Sequence, residues 1–396
     1  MSEFGAWLTS RRFEDPDLPE LLDACRSVVH DPSFAAVADW KRRNGGRAIG
    51  LFPVFAPFEL IHAAGMLPVS VYGAGSTIEI DHADSRMQSF VCSISRSTLE
   101  FGLTGRLDGF DGFVFTSICD VARNLSGIFQ RNFPKLMVEY LHMPQNTASA
   151  AAVDYGEAEF RRLLGRLEAL SGSKVPAPEI ARSISLYNAG RRLARELYAL
   201  RREAPWLLPA HELYLLMRAG GILPKEEHVA MMRAALKAVR NRDAKRRDSV
   251  KVVLEGSFCE QPPVELLQTL EEAGLAFLDD DLLLGHRWFQ EDVPVDGNPV
   301  RALAESYLRT PVTSAVRWNG SKVEGFLRKL KEAKADGVVF CSAKFCEPAL
   351  YDYVPYKEAL EKAKIPYLSI EFEEKMTAFE NVRTQAETFV ESVLFA

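Results

Sequence analysis

The sequence predicts an α/β fold: two doubly wound parallel-sheet domains, with a helical segment before the first and a helical insertion between them. Three observations predict it. Strand-like and helix-like stretches alternate over residues 46–150 and again over 248–396, the pattern of βαβ units. Over 151–247 strand signals vanish and long amphipathic runs take their place. The length, 396 residues, amounts to two or three domains at roughly 100–200 residues each.

Residues 1–45 read as helical, with Leu21, Leu22, Cys25, Val28 and Val29 at helical spacing. In the first domain, Ala48–Phe52 reads as a short buried strand ending at Pro53, and Glu59–Ala64 as a helix stopped by Gly65. Pro68–Tyr72 is a second strand, closed by Gly73-Ala74-Gly75. Residues 84–103 read as helical, Gly112–Thr116 as a strand rich in aromatic and β-branched residues, 120–131 as a helix and Leu136–Leu141 as a strand. The insertion contains the runs Glu157–Leu170, Ile180–Arg202, His211–Ala219 and Lys225–Arg242. Its closing basic run, Arg240 to Arg247, reads as the solvated end of a helix.

The second α/β domain has strand candidates at Val250–Glu255, Ala276–Leu278, Gly337–Phe340 and Tyr367–Ile370. Helix candidates are Val264–Ala273, Pro299–Tyr307, Val323–Ala333, Tyr353–Ala363 and Thr377–Leu394. Thr377 and Glu380 have the Thr-x-x-Glu spacing of a capping box.

Composition narrows the function. Hydrophobic residues make up 47% and charged residues 26%, which argues against disorder. Lys plus Arg number 48 against 54 Asp plus Glu, a net charge of −6, which disfavours nucleic-acid binding. No apolar run has the roughly 20 residues of a membrane span, and the first residues lack the apolar stretch of a signal peptide. The expectation is a cytoplasmic protein.

The cysteines are Cys25, Cys92, Cys119, Cys259, Cys341 and Cys346, with no C-x-x-C pair. In such a chain a disulfide framework is not expected. One internal echo places two of them. Asp111-Gly112-Phe113-Val114-Phe115-Thr116-Ser117-Ile118-Cys119-Asp120 parallels the run from Asp336-Gly337 through Ser342 to Cys346-Glu347. Each reads Asp-Gly, strand, Ser, then Cys and an acid opening a helix. Ligands of open α/β sheets bind beyond the strands' carboxyl ends, and helix amides there stabilise a thiolate. Cys92 lies near the start of a predicted helix in the first domain. Three thiolates in one crevice would suit a [4Fe–4S] cluster with one iron left open. Scattered structural thiols at strand ends are common, and the spacing alone favours them over a cluster.

At these residues the chain resembles the 2-hydroxyacyl-CoA dehydratase and benzoyl-CoA reductase family of iron–sulfur subunits. The matching stretches are Pro57–Gly65, the Cys-Ser…Arg-Ser of Cys92–Ser97, Thr116–Asp120 and Lys344–Pro348. Glu255–Pro263, then Asp279-Asp280-Asp281 and His286-Arg287-Trp288, are similar to the smaller cluster-carrying (C or gamma type) subunits of ATP-dependent class I benzoyl-CoA reductases. The resemblance runs from about residue 45 to the C-terminus and is weakest in the insertion.

The resemblance implies two flavodoxin-like domains holding one [4Fe–4S] cluster on Cys92, Cys119 and Cys346. It implies a homologous second cluster-carrying subunit, two ATPase subunits, ferredoxin as electron donor and an aromatic acyl-CoA substrate reduced to a cyclic dienoyl-CoA. In the dehydratase branch of the family water leaves the substrate and the electron is recycled. The chain has no G-x-x-x-x-G-K-[ST] loop, in keeping with an ATPase on other subunits. Gly73–Ile78 lacks the third glycine of a dinucleotide fingerprint and reads as a turn.

Other candidates are weaker. Glu59 and His62, three apart on one predicted helix, are candidates for proton transfer, with capping and packing as the plainer roles. The three aspartates are expected to end a strand and cap the next helix. Arg287 and Trp288 are candidates for lining a pocket or meeting a partner. Cys259 follows a strand near the crevice, but the family does not use it as a ligand. Cys341, within or at the edge of its strand, reads as core; were it a ligand, it would close the open iron. Cys25 reads as structural.

Overall fold

A computed structural model describes residues 17–53, 55–75, 77–256, 259–282, 291–309, 322–373 and 375–395. Helices α1 (Leu18–Val29) and α2 (Ala35–Asn44) precede the first sheet. That sheet contains β1 (Ala48–Leu51), β2 (Leu67–Ser70), β3 (Gly112–Thr116) and β4 (Met137–Leu141). Between its strands lie α3 (Phe58–Ala63), α4 (Asp81–Asp84), α5 (Ser93–Leu103) and α6 (Asp120–Asn132).

Four long helices follow: α7 (Ala152–Ser171), α8 (Ala177–Glu203), α9 (Ala210–Ala219) and α10 (Lys225–Arg240). The second sheet holds β5 (Val250–Glu255), β6 (Leu275–Asp280), β7 (Gly337–Ala343) and β8 (Tyr367–Phe372). Around it are α11 (Val264–Glu272), α12 (Pro299–Arg309), α13 (Lys322–Ala333), α14 (Glu347–Ala363) and α15 (Glu380–Leu394).

Both sheets are wholly parallel, in the orders β2-β1-β3-β4 and β6-β5-β7-β8. This is the α/β, doubly wound architecture expected, consistent with two flavodoxin-like units. In each sheet the strand order reverses between the first and third strands, so a crevice opens at their carboxyl ends.

Side chains alternate across each strand, and the alternation sorts the core into layers. Phe113 and Phe115 on β3, and Val250, Val252, Val339 and Cys341 on β5 and β7, share one continuous core that reaches both sheets. Ile49, Leu51 and Val114 face a second core with α3, α7, α8 and α12. Val253, Val338 and Phe340 face a third with α13 and α14. The Phe113 ring fills the space over Gly50, where a Cβ would lie 2.3 Å from it.

Three local readings need correction. Residues 84–103 do not form one helix: α4 is a single turn and α5 begins only after Cys92. The Glu100 carboxylate accepts the Ala83 N–H at 2.7 Å and lies 2.7 Å from His82 Nδ1, folding the intervening segment back on α5. Thr377 caps nothing, because α15 starts at Glu380 behind Phe379, which packs on the core. Helix α14 starts at Glu347, six residues before Tyr353, and runs through Pro355. Asp279 and Asp280 end β6 as expected, with Asp281 next; all three are buried, and the segment they were expected to cap lies outside the described residues. Asp279 pairs with Arg202. Asp280 accepts from the Tyr198 hydroxyl and from Arg201, which is itself buried.

Arg240 does end a helix, and beyond it Arg242 pairs with Glu212 at 2.6 Å. His286, Arg287 and Trp288 lie outside the described residues.

Candidate metal centre

Cys92, Cys119 and Cys346 each occupy the residue immediately before a helix: α5, α6 and α14 respectively. Cys119 and Cys346 are delivered there by β3 and β7, the third strands of the two sheets. The residue preceding Cys346, Phe345, has left-handed backbone (φ 63°). A non-glycine residue in that region is uncommon and costs of order 1 kcal/mol or more, a strain that clusters at functional sites. Phe55, beyond the carboxyl end of β1, has the same conformation (φ 64°).

The three sulfurs lie within electrostatic reach of one another. The charge of a Cys346 thiolate acts on both Cys92 and Cys119, and that of Cys119 acts on Cys92. Cys92 and Cys346 are buried and Cys119 is half-buried. The Cys92 sulfur lies 3.2 Å from Ser95 Oγ, and the Ala122 N–H donates to Cys119 Sγ at 3.4 Å.

Burial raises the Cys119 thiol to about 11 against the lowering effect of the Ala122 amide. Burial also raises Cys92, followed by the nearby Glu260 carboxylate. Of the helix amides expected to favour a thiolate, that of Ala122 is in place at Cys119, where burial outweighs it, whereas Cys346 forms no side-chain cap bond to α14.

A fourth cysteine joins the set. Cys259 follows β5, the strand paired with β7, and its thiol is hydrogen-bonded to that of Cys346. It also lies within electrostatic reach of Cys92 and Cys119. The next residue, Glu260, is fully buried and crosses the cleft. Ser93 Oγ donates to its Oε1 at 2.5 Å, and the Ile94 N–H donates to its Oε2 at 3.2 Å. Glu260 therefore supplies the first turn of α5 with the acceptor that Cys92, the residue before that helix, does not.

Sequence reasoning ranked Cys259 below the others and missed Glu260. One signal was available. Cys-acid dipeptides recur at 119–120, 259–260 and 346–347, each beyond the carboxyl end of a strand.

Cys341 and Cys25 stand apart from this group. Cys341 lies inside β7, fully buried, its thiol raised by burial and then by Asp281. Cys25 Sγ contacts Met231 Sδ at 3.3 Å.

Glu59 and His62 are set in a polar cluster between α3, α8 and α10. Glu59 pairs with Arg191. His62 Nδ1 lies 2.9 Å from Ser183 Oγ and its Nε2 lies 3.0 Å from Glu226 Oε1. Beside them Lys225 sits 5.0 Å from the Tyr187 ring centre, its amine lowered to about 8 by burial and then by Arg191. These polar partners all lie on helices of the insertion.

Among the described residues no three His, Cys, Asp or Glu side chains stand close enough together to hold a single metal ion. A cubane makes a different demand, because each thiolate binds its own iron and the sulfurs stand further apart. Soft sulfur donors, three at helix starts and a fourth hydrogen-bonded among them, fit that group by chemistry and by convergence.

The chain is 38% identical over 378 residues, 94% of its length and 98% of the relative's, to the C-type subunit of benzoyl-CoA reductase from Thauera aromatica. It is 28% identical over 368 residues, 93% of its length and 97% of the relative's, to the beta-type subunit of (R)-phenyllactyl-CoA dehydratase from Clostridium sporogenes. It is 29% identical over 379 residues, 94% and 99% of the two chains, to the beta-type subunit of (R)-2-hydroxyglutaryl-CoA dehydratase from Acidaminococcus fermentans. The 2-hydroxyglutaryl-CoA dehydratase D-component family matches residues 53–393, a span that takes in β2 to β8 and Cys92, Cys119, Cys259 and Cys346, and the chain belongs to that family.

Proposed function

We propose that this chain is the iron–sulfur subunit of an ATP-dependent aromatic acyl-CoA reductase acting on benzoyl-CoA. In this reading Cys92, Cys119 and Cys346 hold a [4Fe–4S] cluster, and low-potential electrons pass through it to dearomatise the ring to a cyclic dienoyl-CoA. The observation that carries the reading is the convergence of three cysteines, distant in sequence, each at the start of a different helix. The 38% identity to a benzoyl-CoA reductase subunit, against 28–29% to the dehydratase subunits, supports the reductase over the dehydratase branch.

When bound, such a cluster supplies single electrons at low potential. The residues of this chain set its surroundings. Cys92, Cys346, Ile94 and Ile118 are buried, which limits water around the sulfurs, and burial with few hydrogen bonds to sulfur lowers a cluster's potential.

Partners follow from the same reading: a homologous cluster-carrying subunit, two ATPase subunits and ferredoxin, in the cytoplasm. Exposed apolar side chains support a partner near the cysteines. Phe90 stands 67% exposed two residues from Cys92, and Phe345, Leu350, Tyr351 and Val354 are exposed on and beside the first turns of α14.

The test is electron paramagnetic resonance of the anaerobically reduced complex with and without benzoyl-CoA, together with iron analysis of this chain. About four irons per chain are expected, lost in each of Cys92→Ala, Cys119→Ala and Cys346→Ala. Intact cluster content in all three variants would refute the ligand assignment. ATP and reductant consumed in step with product supports the reductase; substoichiometric ATP with loss of water from a 2-hydroxyacyl-CoA supports the dehydratase.

A further inference from the structure

We propose that a cavity beyond the carboxyl end of β2 binds a small aromatic carboxylate, held by Arg218 and Gln261. None of the six cysteines lines this cavity, and the inference does not depend on the cluster reading.

The cavity has a volume of 240 Å³. Segments distant in sequence wall it: the link from α1 to α2, the end of β2 with the turn after it, α5, the end of α9, the start of α11 and the approach to α15. Pockets for drug-sized ligands run roughly 300–1,000 Å³. The occupant is therefore smaller, and a CoA thioester cannot fit inside.

Two polar side chains point to a ligand. Arg218 stands in the last turn of α9. Its guanidinium lies 5.7 Å from the ring centre of Tyr72 and 5.5 Å from that of Tyr214. Its Nε is buried without a hydrogen-bond partner in the protein, and among the described residues no carboxylate pairs with it. Gln261, only 5% exposed, has neither its amide oxygen nor its amide nitrogen bonded. Buried polar groups are normally paired, because leaving them unpaired is costly. Here the unpaired atoms belong to residues that line one cavity.

The charges around it leave Arg218 as the cation of the site. Glu265 is matched by Arg26 at 3.3 Å. The Asp31 carboxylate accepts the backbone N–H groups of Ser33 and Ala35. The His30 ring is held toward its neutral form by burial and then by Arg218 itself.

The remaining walls are apolar and ringed. Phe34 and Phe101 meet edge to face at 5.4 Å, beside Ile222 and Pro263. Phe34 takes left-handed backbone (φ 52°), uncommon for a residue other than glycine. A guanidinium fork matches a carboxylate in geometry as well as in charge, and aromatic walls favour an aromatic body. One cation, a neutral amide donor and ring walls in a small space select an acid with a flat apolar body. Benzoate is the simplest.

The test is titration calorimetry on the full chain in its complex. Benzoate is the probe, benzamide its uncharged counterpart, and acetate and phosphate are anions without a ring. Benzoate is expected to bind, with benzamide about 10–100-fold weaker and acetate and phosphate at least about tenfold weaker. Saturating benzoyl-CoA is expected to leave benzoate binding in place. Arg218→Met is expected to bind benzoate and benzamide alike, and Gln261→Leu to weaken both by similar factors. Thermal melting checks that each variant folds. Should Arg218→Met not fold, the contrast between benzoate and benzamide in wild type still decides the role of charge, and Gln261→Leu the location.

Absence of benzoate binding would overturn the proposal. So would benzamide or phosphate binding as tightly as benzoate, displacement by benzoyl-CoA, or a folded Arg218→Met that still prefers benzoate. None of these outcomes bears on the cluster, whose iron content is measured separately.

Discussion

Glu260 shows how one carboxylate shapes a site without being a ligand. It is buried, it follows Cys259, and it accepts two hydrogen bonds from the helix start that Cys92 precedes. Removing a buried acceptor strands its donors, at about 1–3 kcal/mol. Glu260→Ala is therefore expected to lose about that much stability in urea unfolding. Glu260→Gln, which keeps one of the two oxygens these donors use, is expected to lose less. An alanine variant as stable as wild type would show that the bridge contributes nothing. The cysteines at 119 and 346 were legible because each ends a strand and opens a helix within a dozen residues of sequence. Glu260 was not, because its partners are 166 and 167 residues away and no local pattern announces them.

At the scale of elements, strands buried on both faces were the most legible. Gly112–Thr116 and Val250–Glu255 stand where their apolar runs placed them. Helix starts set by tertiary contact were not: α5 and α15 begin where Glu260, Glu100 and Phe379 dictate. The partners of Asp279 and Asp280, at the end of β6, were not legible either, since they lie on α8. There Arg201 stacks over the Tyr198 ring at 4.2 Å and donates to Asp280 at 2.9 Å, both charges being buried. Breaking a buried pair from one side typically costs about 3–5 kcal/mol, while replacing both charges can be nearly neutral. Arg201→Met is expected to destabilise by that amount and to recover much of it when combined with Asp280→Asn. Losses that simply add in chemical denaturation would show that the two side chains do not act as a pair.

For the whole molecule, the decisive feature is a core that does not stop at the cleft. The inward faces of both sheets, with residues of α9 and α10, form one continuous apolar cluster. Helix α12, late in the sequence, packs in the outer core of the first sheet, and its Tyr307 hydroxyl donates to the Ala56 carbonyl. The cleft is also bridged by Ser93 to Glu260, by Arg26 to Glu265 and by Lys375 to Glu79. Surface ion pairs such as the last two add little, so the shared apolar layer is what couples the halves. If it does, neither sheet opens while the other stays folded. Native-state hydrogen exchange followed by mass spectrometry in rising urea is expected to give peptides over Gly112–Thr116 and Gly337–Ala343 a common opening free energy. Opening of one strand at a free energy several kcal/mol below the other would show two independent units meeting at the cysteines. The cluster's ligands would then come from bodies free to part, and the tether from Glu260 to α5 would carry the site alone.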